Sequence, residues 1–302
     1  MKVAVAGTGN VATYLIEELS AYGHDVVVIT RKAKPSITLP QRESDYTISS
    51  LLSVLEDREA LISTVFDYTD MPKTTQLQLT MLEAVLQSKT LKTFIPSEWT
   101  LNAEDYPEQP MLQAEHTAMV HKALQNAPKD VRWTIISNSW FADYILPASR
   151  RRLGDIGELW PMNHSTKTFT IYGPGTQVFD MVSVRDTAKA VAVLLDSAEP
   201  WEEYTYVSGQ QLSWNELFAI MKKHDSEWKA VNKPLSETIK LLGEEDPAKK
   251  FLGSFELLTY SGASLLPKER VERDQKRHFQ KVKFRSVEEI LTDAAARPNE
   301  IA

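Results

Sequence analysis

A short apolar run, Lys2–Ala6, passes directly into Gly7-Thr8-Gly9-Asn10-Val11-Ala12 and then into a stretch of helical periodicity, Val11–Ala21, closed by Gly23. This order of strand, glycine turn and helix constrains the fold more than any other feature of the chain. The glycines have the spacing G-x-G-x-x-G/A. In that spacing the first glycine permits a tight turn and the second lets the backbone approach a pyrophosphate, while a small residue at the last position lets the helix pack on its strand. The free amides and positive end of the helix then hold the anion. The pattern predicts that Gly7, Thr8, Gly9, Asn10 and Val11 surround a dinucleotide.

The same alternation continues. Asp25–Thr30, Leu61–Val65, Lys92–Pro96 and Arg132–Ser137 read as β-branched or apolar strands, with helical stretches at Lys73–Gln87 and Met111–Gln125 between them. Strands alternating with helices predict an α/β fold, a Rossmann-type doubly wound parallel sheet. Beyond Pro147 the texture changes to loops and short strands. Met181–Val184 then leads into a helix at Arg185–Asp196, a strand at Tyr204–Ser208 and a helix at Trp214–Lys223, and residues 230–284 read as short helices without a strand pattern. The expected organisation is a nucleotide-binding domain over 1–150, to which 181–208 return, and a smaller, partly helical substrate lobe over 151–180 and 209–302.

The second strand selects the dinucleotide. An NAD site places an acid at its end to bind the ribose 2′-hydroxyl; here the strand ends Thr30-Arg31-Lys32, with no acid before Glu43. Two cations suit a 2′-phosphate, and Arg31 can bind it as a flat fork, so NADP(H) is expected. The formal charge of −7 argues against nucleic acid as a partner. The dense basic run Lys268–Lys283 also carries Glu269, Glu272 and Asp274 and reads as a solvated face. Absence of cysteine excludes disulfides and thiolate chemistry. No apolar stretch approaches the roughly 20 residues of a membrane span, and the strand at Lys2 leaves no room for a signal peptide, so a cytoplasmic location is expected.

Several segments together resemble the isoflavone reductase-like and NmrA-like branch of the atypical short-chain dehydrogenases: GTGNVA at 7–12, ALISTV at 60–65, LKTFIPSEWTLN at 91–102, WTIISNSWFADYILP at 133–147 and VSVRDTAKAVAVLL at 182–195. FIPSEW is the most specific, being similar to the Pro-Ser-Glu-Phe signature of that family. The resemblance implies an NADPH-dependent reductase of a small aromatic or polyketide-like carbonyl or enone compound, of the kind found in secondary metabolism, with a homodimer allowed. It places Thr64, Val65 and Phe66 along the adenosine side, and Pro96, Ser97, Glu98, Trp99 and Asn138 at the nicotinamide end.

One departure stands out. The lysine that assists proton transfer in the family's reductases falls at Thr117, and the chain has no Tyr-x-x-x-Lys. Lys122 is the nearest lysine, on another helix face. His121, one turn beyond Thr117, is the first expected substitute because it titrates near neutrality. His116, on the apolar stripe with Leu112, Met119, Val120 and Ala123, is the second, and Tyr144 the third; Tyr260 is a further phenol from the other lobe. A spacing of five keeps His116 and His121 off one face, so no metal site is expected. Trp99, Trp140, Phe141, Tyr144, Trp160, Tyr172 and Phe179 divide between core and an aromatic substrate wall. The alternative to an enzyme is a non-catalytic NADP(H)-sensing regulator that binds a protein partner, as NmrA-like proteins are thought to do.

Overall fold

The computed structural model describes residues 1–99, 101–109 and 113–301. Its first half runs β1 (Lys2–Ala6), α1 (Asn10–Tyr22), β2 (Asp25–Thr30), β3 (Gln41–Glu43), α2 (Ile48–Val54), β4 (Ala60–Ser63), α3 (Met71–Gln87), β5 (Thr93–Ile95), α4 (Ala114–Gln125), β6 (Arg132–Trp133) and β7 (Ile135–Ser137). The remainder is β8 (Trp140–Phe141), β9 (Met162–Asn163), β10 (Thr168–Tyr172), β11 (Val178–Val182), α5 (Val184–Leu195), β12 (Tyr204–Tyr206) and β13 (Gln210–Ser213). There follow α6 (Trp214–His224), β14 (Lys229–Lys233), α7 (Leu235–Gly243), α8 (Pro247–Leu257), α9 (Lys268–Arg277) and α10 (Val287–Ala296).

Six strands form a wholly parallel sheet in the order β3-β2-β1-β4-β5-β6. The chain builds outward from β1 to β3 and then returns to lay β4 on the other side of β1. The strand order therefore reverses between β1 and β4, where a doubly wound sheet opens its ligand crevice. Alternation along β1 shows why helices cover both faces. Val3 and Val5 pack with Leu15 and Leu19 of α1 and Val191 of α5, whereas Ala4 and Ala6 point into a second core with Leu51, Met81 and Leu82 from α2 and α3. Strands buried on both faces read as unbroken apolar runs, which is what DVVVIT and ALIS are. β7 resumes after Thr134 and pairs in parallel with β12.

The smaller lobe has its own aromatic core. Phe179 stacks on Trp214 at 4.0 Å, and Trp140, Phe169 and Trp228 are buried with them. The Trp140 and Trp214 indoles donate to Ser264 Oγ and Thr259 O. Trp140 and Phe179 are therefore core residues rather than substrate wall. Residues 184–206 pack on the nucleotide half, and so do Val271, Phe279 and Phe284 from the stretch that the sequence assigns to the smaller lobe.

Other expectations need correction. Of Met181–Val184, which the sequence leads into the helix, Met181 and Val182 end β11 and Val184 already opens α5 behind the cap Ser183. Residues 230–284 include a strand, β14, paired in parallel with β10. The helix expected from Met111 is described from Ala114; Met111 and Leu112 lie outside the described residues. No helix among the described residues is long and apolar enough to cross a membrane.

Candidate functional site

At the crevice the two glycines do different work. Gly7 has φ +105° and donates its amide to Ile29 O at 3.0 Å. A Cβ built on it lies 2.4 Å from Thr64 Oγ1, and that hydroxyl is itself held by Ala6 O at 2.8 Å. The turn leaving β1 and the turn leaving β4 are thus in contact, so Gly7 is required by the fold. Gly9 caps α1 with ordinary extended backbone (φ −79°), and a Cβ there meets nothing within 4 Å. The space in front of the helix is open, the first turn carries no acid, and Gly9 and Asn10 are exposed beside half-buried Thr8 and Val11. Helix amides facing open space without a carboxylate suit an anion.

Arg31 and Lys32 are exposed just past β2. The Arg31 guanidinium lies 5.8 Å from the centre of the Tyr46 ring. Sequence reasoning missed a third cation. The Lys34 ammonium lies 3.5 Å from Thr8 O, and Gln41 clamps the Lys34 amide and carbonyl at 2.8 and 2.9 Å. Glu43 accepts from the Ala33 amide instead. No ion pair among the described residues involves Arg31, Lys32 or Lys34. Three cations at the end of β2, one of them reaching the glycine turn and none in an ion pair among the described residues, suit a phosphate.

The segment leaving β5 is fastened to the turn leaving β4. Gln78 of α3 accepts from the Ser97 amide at 3.2 Å and donates to Ser63 Oγ and Val65 O. The Trp99 indole donates to Ser63 O at 3.2 Å. Pro96, Ser97 and Glu98 are buried, and Thr64, Val65 and Phe66 half-buried. Past β7, Asn138 is fully buried and Ser139 is held at φ +55° by its hydroxyl, which donates to Ser264 O. Ser137 Oγ, Asn138 Oδ1 and Glu98 Oε1 are buried without hydrogen-bond partners. Natural proteins rarely leave such atoms unsatisfied unless a ligand or ion completes them. Their place at the carboxyl ends of β5 and β7 fits the polar end of a dinucleotide.

The residues considered for proton transfer separate clearly. Thr117 donates to Gln113 O and Ala114 O within its own helix, and Lys122 is exposed on the outer face. His121 is only 9% exposed, and both its nitrogens meet protein groups: Nε2 lies 2.6 Å from Glu98 Oε2 and Nδ1 3.3 Å from the Tyr204 hydroxyl. It ties α4 to the segment leaving β5. His116 is half-buried with Nδ1 unpartnered. Its supposed stripe is not a stripe, since Met119 is 50% exposed while Val120 and Leu124 are buried. The Tyr260 hydroxyl donates to Lys233 O at 2.8 Å.

Tyr144 stands elsewhere, on the short turn Ala142–Ile145. This turn is anchored by Asp143, which is fully buried and accepts from the Val184 amide at 2.8 Å. The Tyr144 ring meets Trp160 at 5.7 Å and lies under the Arg151 guanidinium. Burial pushes its phenol above the usual range. It borders a cavity of about 560 Å³ walled also by Trp160, Tyr172, His164, Lys233 and Glu256. Glu256 is buried, paired with Lys233 and accepting from the Thr238 hydroxyl. His164, which no motif announces, points Nε2 at Tyr144 O (3.1 Å), and burial holds its imidazole below the usual range. Among the described residues no three His, Cys, Asp or Glu side chains gather as metal ligands.

A parallel sheet with its crevice at a glycine turn and a cation-bearing second strand defines a Rossmann-type dinucleotide-binding protein. Residues 2–291 match the NmrA-like family. Oxidoreductase swnR of Arthroderma benhamiae is 34% identical over 307 residues, covering 100% of both chains. Two solved structures share the fold. One is AtPrR2 with NADP+ and (+)pinoresinol (TM-score 0.78, 19% identity, 97% of this chain and 98% of that one). The other is a ternary complex of leucoanthocyanidin reductase from Vitis vinifera (TM-score 0.76, 18% identity, 98% and 100%). The chain belongs to the NmrA-like family, and its relatives at 34% and 30% identity are oxidoreductases.

Proposed function

We propose that the protein is an NADPH-dependent reductase of a small, flat carbonyl or enone compound. The nucleotide would lie across the β1–β4 crevice and the substrate would lie in the cavity beside Tyr144. One observation carries the reading: the open space before Gly9 together with three uncompensated cations at Arg31, Lys32 and Lys34. The aromatic cavity wall suits an aromatic substrate, and the relative that carries pinoresinol supports the same class.

NADPH when bound supplies the hydride that a carbonyl or conjugated carbon accepts. The residues of the chain do the rest. Gly7 shapes the turn and the amides beyond it, Thr8–Val11, hold the pyrophosphate, while Arg31, Lys32 and Lys34 hold the 2′-phosphate. Thr64, Val65 and Phe66 line the passage, while Ser97, Glu98, Trp99 and Asn138 fix the nicotinamide end. Tyr144 is the proton donor in this reading, because its hydroxyl makes no hydrogen bond among the described residues and its ring borders the cavity. His121, with both nitrogens engaged, positions the Glu98 segment, and His116 has no contact that directs it to the cavity. The test is to screen aromatic ketones and enones for loss of reduced-nicotinamide absorbance, beside calorimetric NADPH titration. Turnover of any member supports the reductase. Tight NADPH binding without turnover across the screen would instead leave a NADP(H)-responsive regulator.

A further inference from the structure

Tyr68 lies in the turn between β4 and α3, on the β4 side of the crevice where strand order reverses. Its ring meets Phe66 from the same turn at 4.6 Å, and Phe251 and Phe255 of α8 in the smaller lobe at 6.0 and 5.9 Å. The two α8 rings touch each other at 4.9 Å. An aromatic contact therefore joins the turn after β4 to α8 of the smaller lobe.

The ring is not a core residue, since 55% of it is open to solvent. The surrounding protein still desolvates its hydroxyl and pushes its phenol upward. Exposure of the residue with crowding at its hydroxyl places the ring at the edge of the aromatic contact, partly open to solvent. All three of its ring contacts are steeply tilted, at 63°, 68° and 73°. No ring among the described residues stacks parallel to it. Aromatic rings favour offset-stacked partners as well as edge contacts, and the parallel position is the one left open. The helix that carries Phe251 and Phe255 also carries Glu256 into the cavity wall, so platform and cavity share an element.

We propose that Tyr68, backed by Phe251 and Phe255, is the substrate-selecting platform of this site, a surface on which a planar conjugated ring stacks as it enters the cavity. This rests on the reading of the cavity as the substrate site. Tyr68 acts here through its ring and not through its hydroxyl.

The test is equilibrium binding of cinnamaldehyde, and of the non-planar cyclohexanecarbaldehyde, to the NADP+-saturated protein, with NADP+ affinity measured separately. Tyr68→Ala and Phe251→Ala should each weaken cinnamaldehyde about tenfold, the value of one aromatic pair. They should leave cyclohexanecarbaldehyde and NADP+ within about twofold. Tyr68→Phe should bind cinnamaldehyde as the unmodified protein does. Undiminished cinnamaldehyde binding in Tyr68→Ala, or equal losses for both aldehydes, overturns the platform while leaving the substrate site standing. Failure of the unmodified complex to bind cinnamaldehyde overturns the platform, and the enone screen decides the substrate site separately. Loss in Tyr68→Phe equal to that in Tyr68→Ala transfers the role to the hydroxyl and overturns the platform.

Discussion

Gly9→Val and Gly7→Val should separate ligand from fold. At Gly9 the backbone is extended at φ −79° and no protein atom lies within 4 Å of an added Cβ, so valine enters without strain. The cost is a poorer helix cap, up to about 1 kcal/mol, partly offset by a less flexible unfolded chain. The isopropyl group instead fills the space a pyrophosphate needs. Losing two amide bonds to a charged group, at about 1.5–3 kcal/mol each, removes at least about 3 kcal/mol of binding, more than 100-fold in affinity. At Gly7 the order of effects reverses. With φ +105° and a contact of 2.4 Å to Thr64 Oγ1, any side chain strains the backbone by about 1–2 kcal/mol and pushes the β4 turn aside. Calorimetric NADPH titration with thermal denaturation reads both. Gly9→Val should melt within a few degrees of the unmodified protein and bind NADPH at least 100-fold more weakly, whereas Gly7→Val should melt distinctly lower. Full NADPH affinity in a folded Gly9→Val protein would falsify the nucleotide site.

Alanine at Arg31, Lys32 and Lys34 together should abolish a preference for NADPH over NADH of roughly 10²-fold, taking about 1 kcal/mol per exposed cation on a phosphate. Raised salt should shrink the same preference in the unmodified protein, and equal affinities for the two nucleotides before mutation would end the idea. Tyr144→Phe should lower turnover by about 10²–10⁴-fold at constant NADPH affinity. His121→Phe should act mainly on stability, by about 3 kcal/mol, because it leaves Glu98 buried without its partner; full turnover in Tyr144→Phe with loss in folded His121→Phe would return the proton to the histidine. Burial lifts the Asp143 carboxyl from 3.8 to about 6. The folded chain therefore keeps a proton that the unfolded chain has released, and stability falls as pH rises between about 4 and 6. The loss is about 3 kcal/mol. Asp143→Asn should lessen the slope in denaturant titrations, the rest belonging to the buried Asp180 carboxyl, also lifted to about 6, and an unchanged slope would place its origin elsewhere.

What was readable in the chain divides by the range of the interactions. β1, α1 and β2 stand where their residues say because both strand faces are buried and the glycines punctuate the helix. β14 was unreadable for the opposite reason: Lys229–Lys233 is exposed at its first four positions, so neither alternation nor an apolar run marks it, and only pairing with β10 makes it a strand. The three-residue β3 carries too little sequence to show a period. Lys34 could have been found as a third cation close behind Arg31 and Lys32. His121 could not have been placed. Its partners Glu98 and Tyr204 lie 23 and 83 residues away, and helical spacing alone set it at the edge of a stripe that Met119 does not belong to.

The same contrast explains why the fold of the nucleotide half was readable while three candidates, His121, His116 and Tyr144, stood open for the proton. Phosphate recognition uses backbone amides and cations at strand ends, so its residues sit at fixed offsets from elements that the sequence announces. Proton transfer needs only one hydroxyl aimed at the reacting carbon, and any wall of the cavity can supply it. Thr117 turns its hydroxyl back onto Gln113 O and Ala114 O, so this position of α4 offers no acid. His121 does not inherit the task by proximity along the helix, because Glu98 has taken its Nε2. The wall opposite is better placed. Tyr144 rides on a turn locked by Asp143 to the start of α5, which fixes the ring while leaving its hydroxyl uncommitted. If that rigid mounting is what makes Tyr144 effective, Asp143→Ala should lower turnover at constant NADPH affinity, and Tyr144→Phe added to it should cause little further loss. Independent, fully additive effects of the two substitutions would show that the turn does not position the phenol.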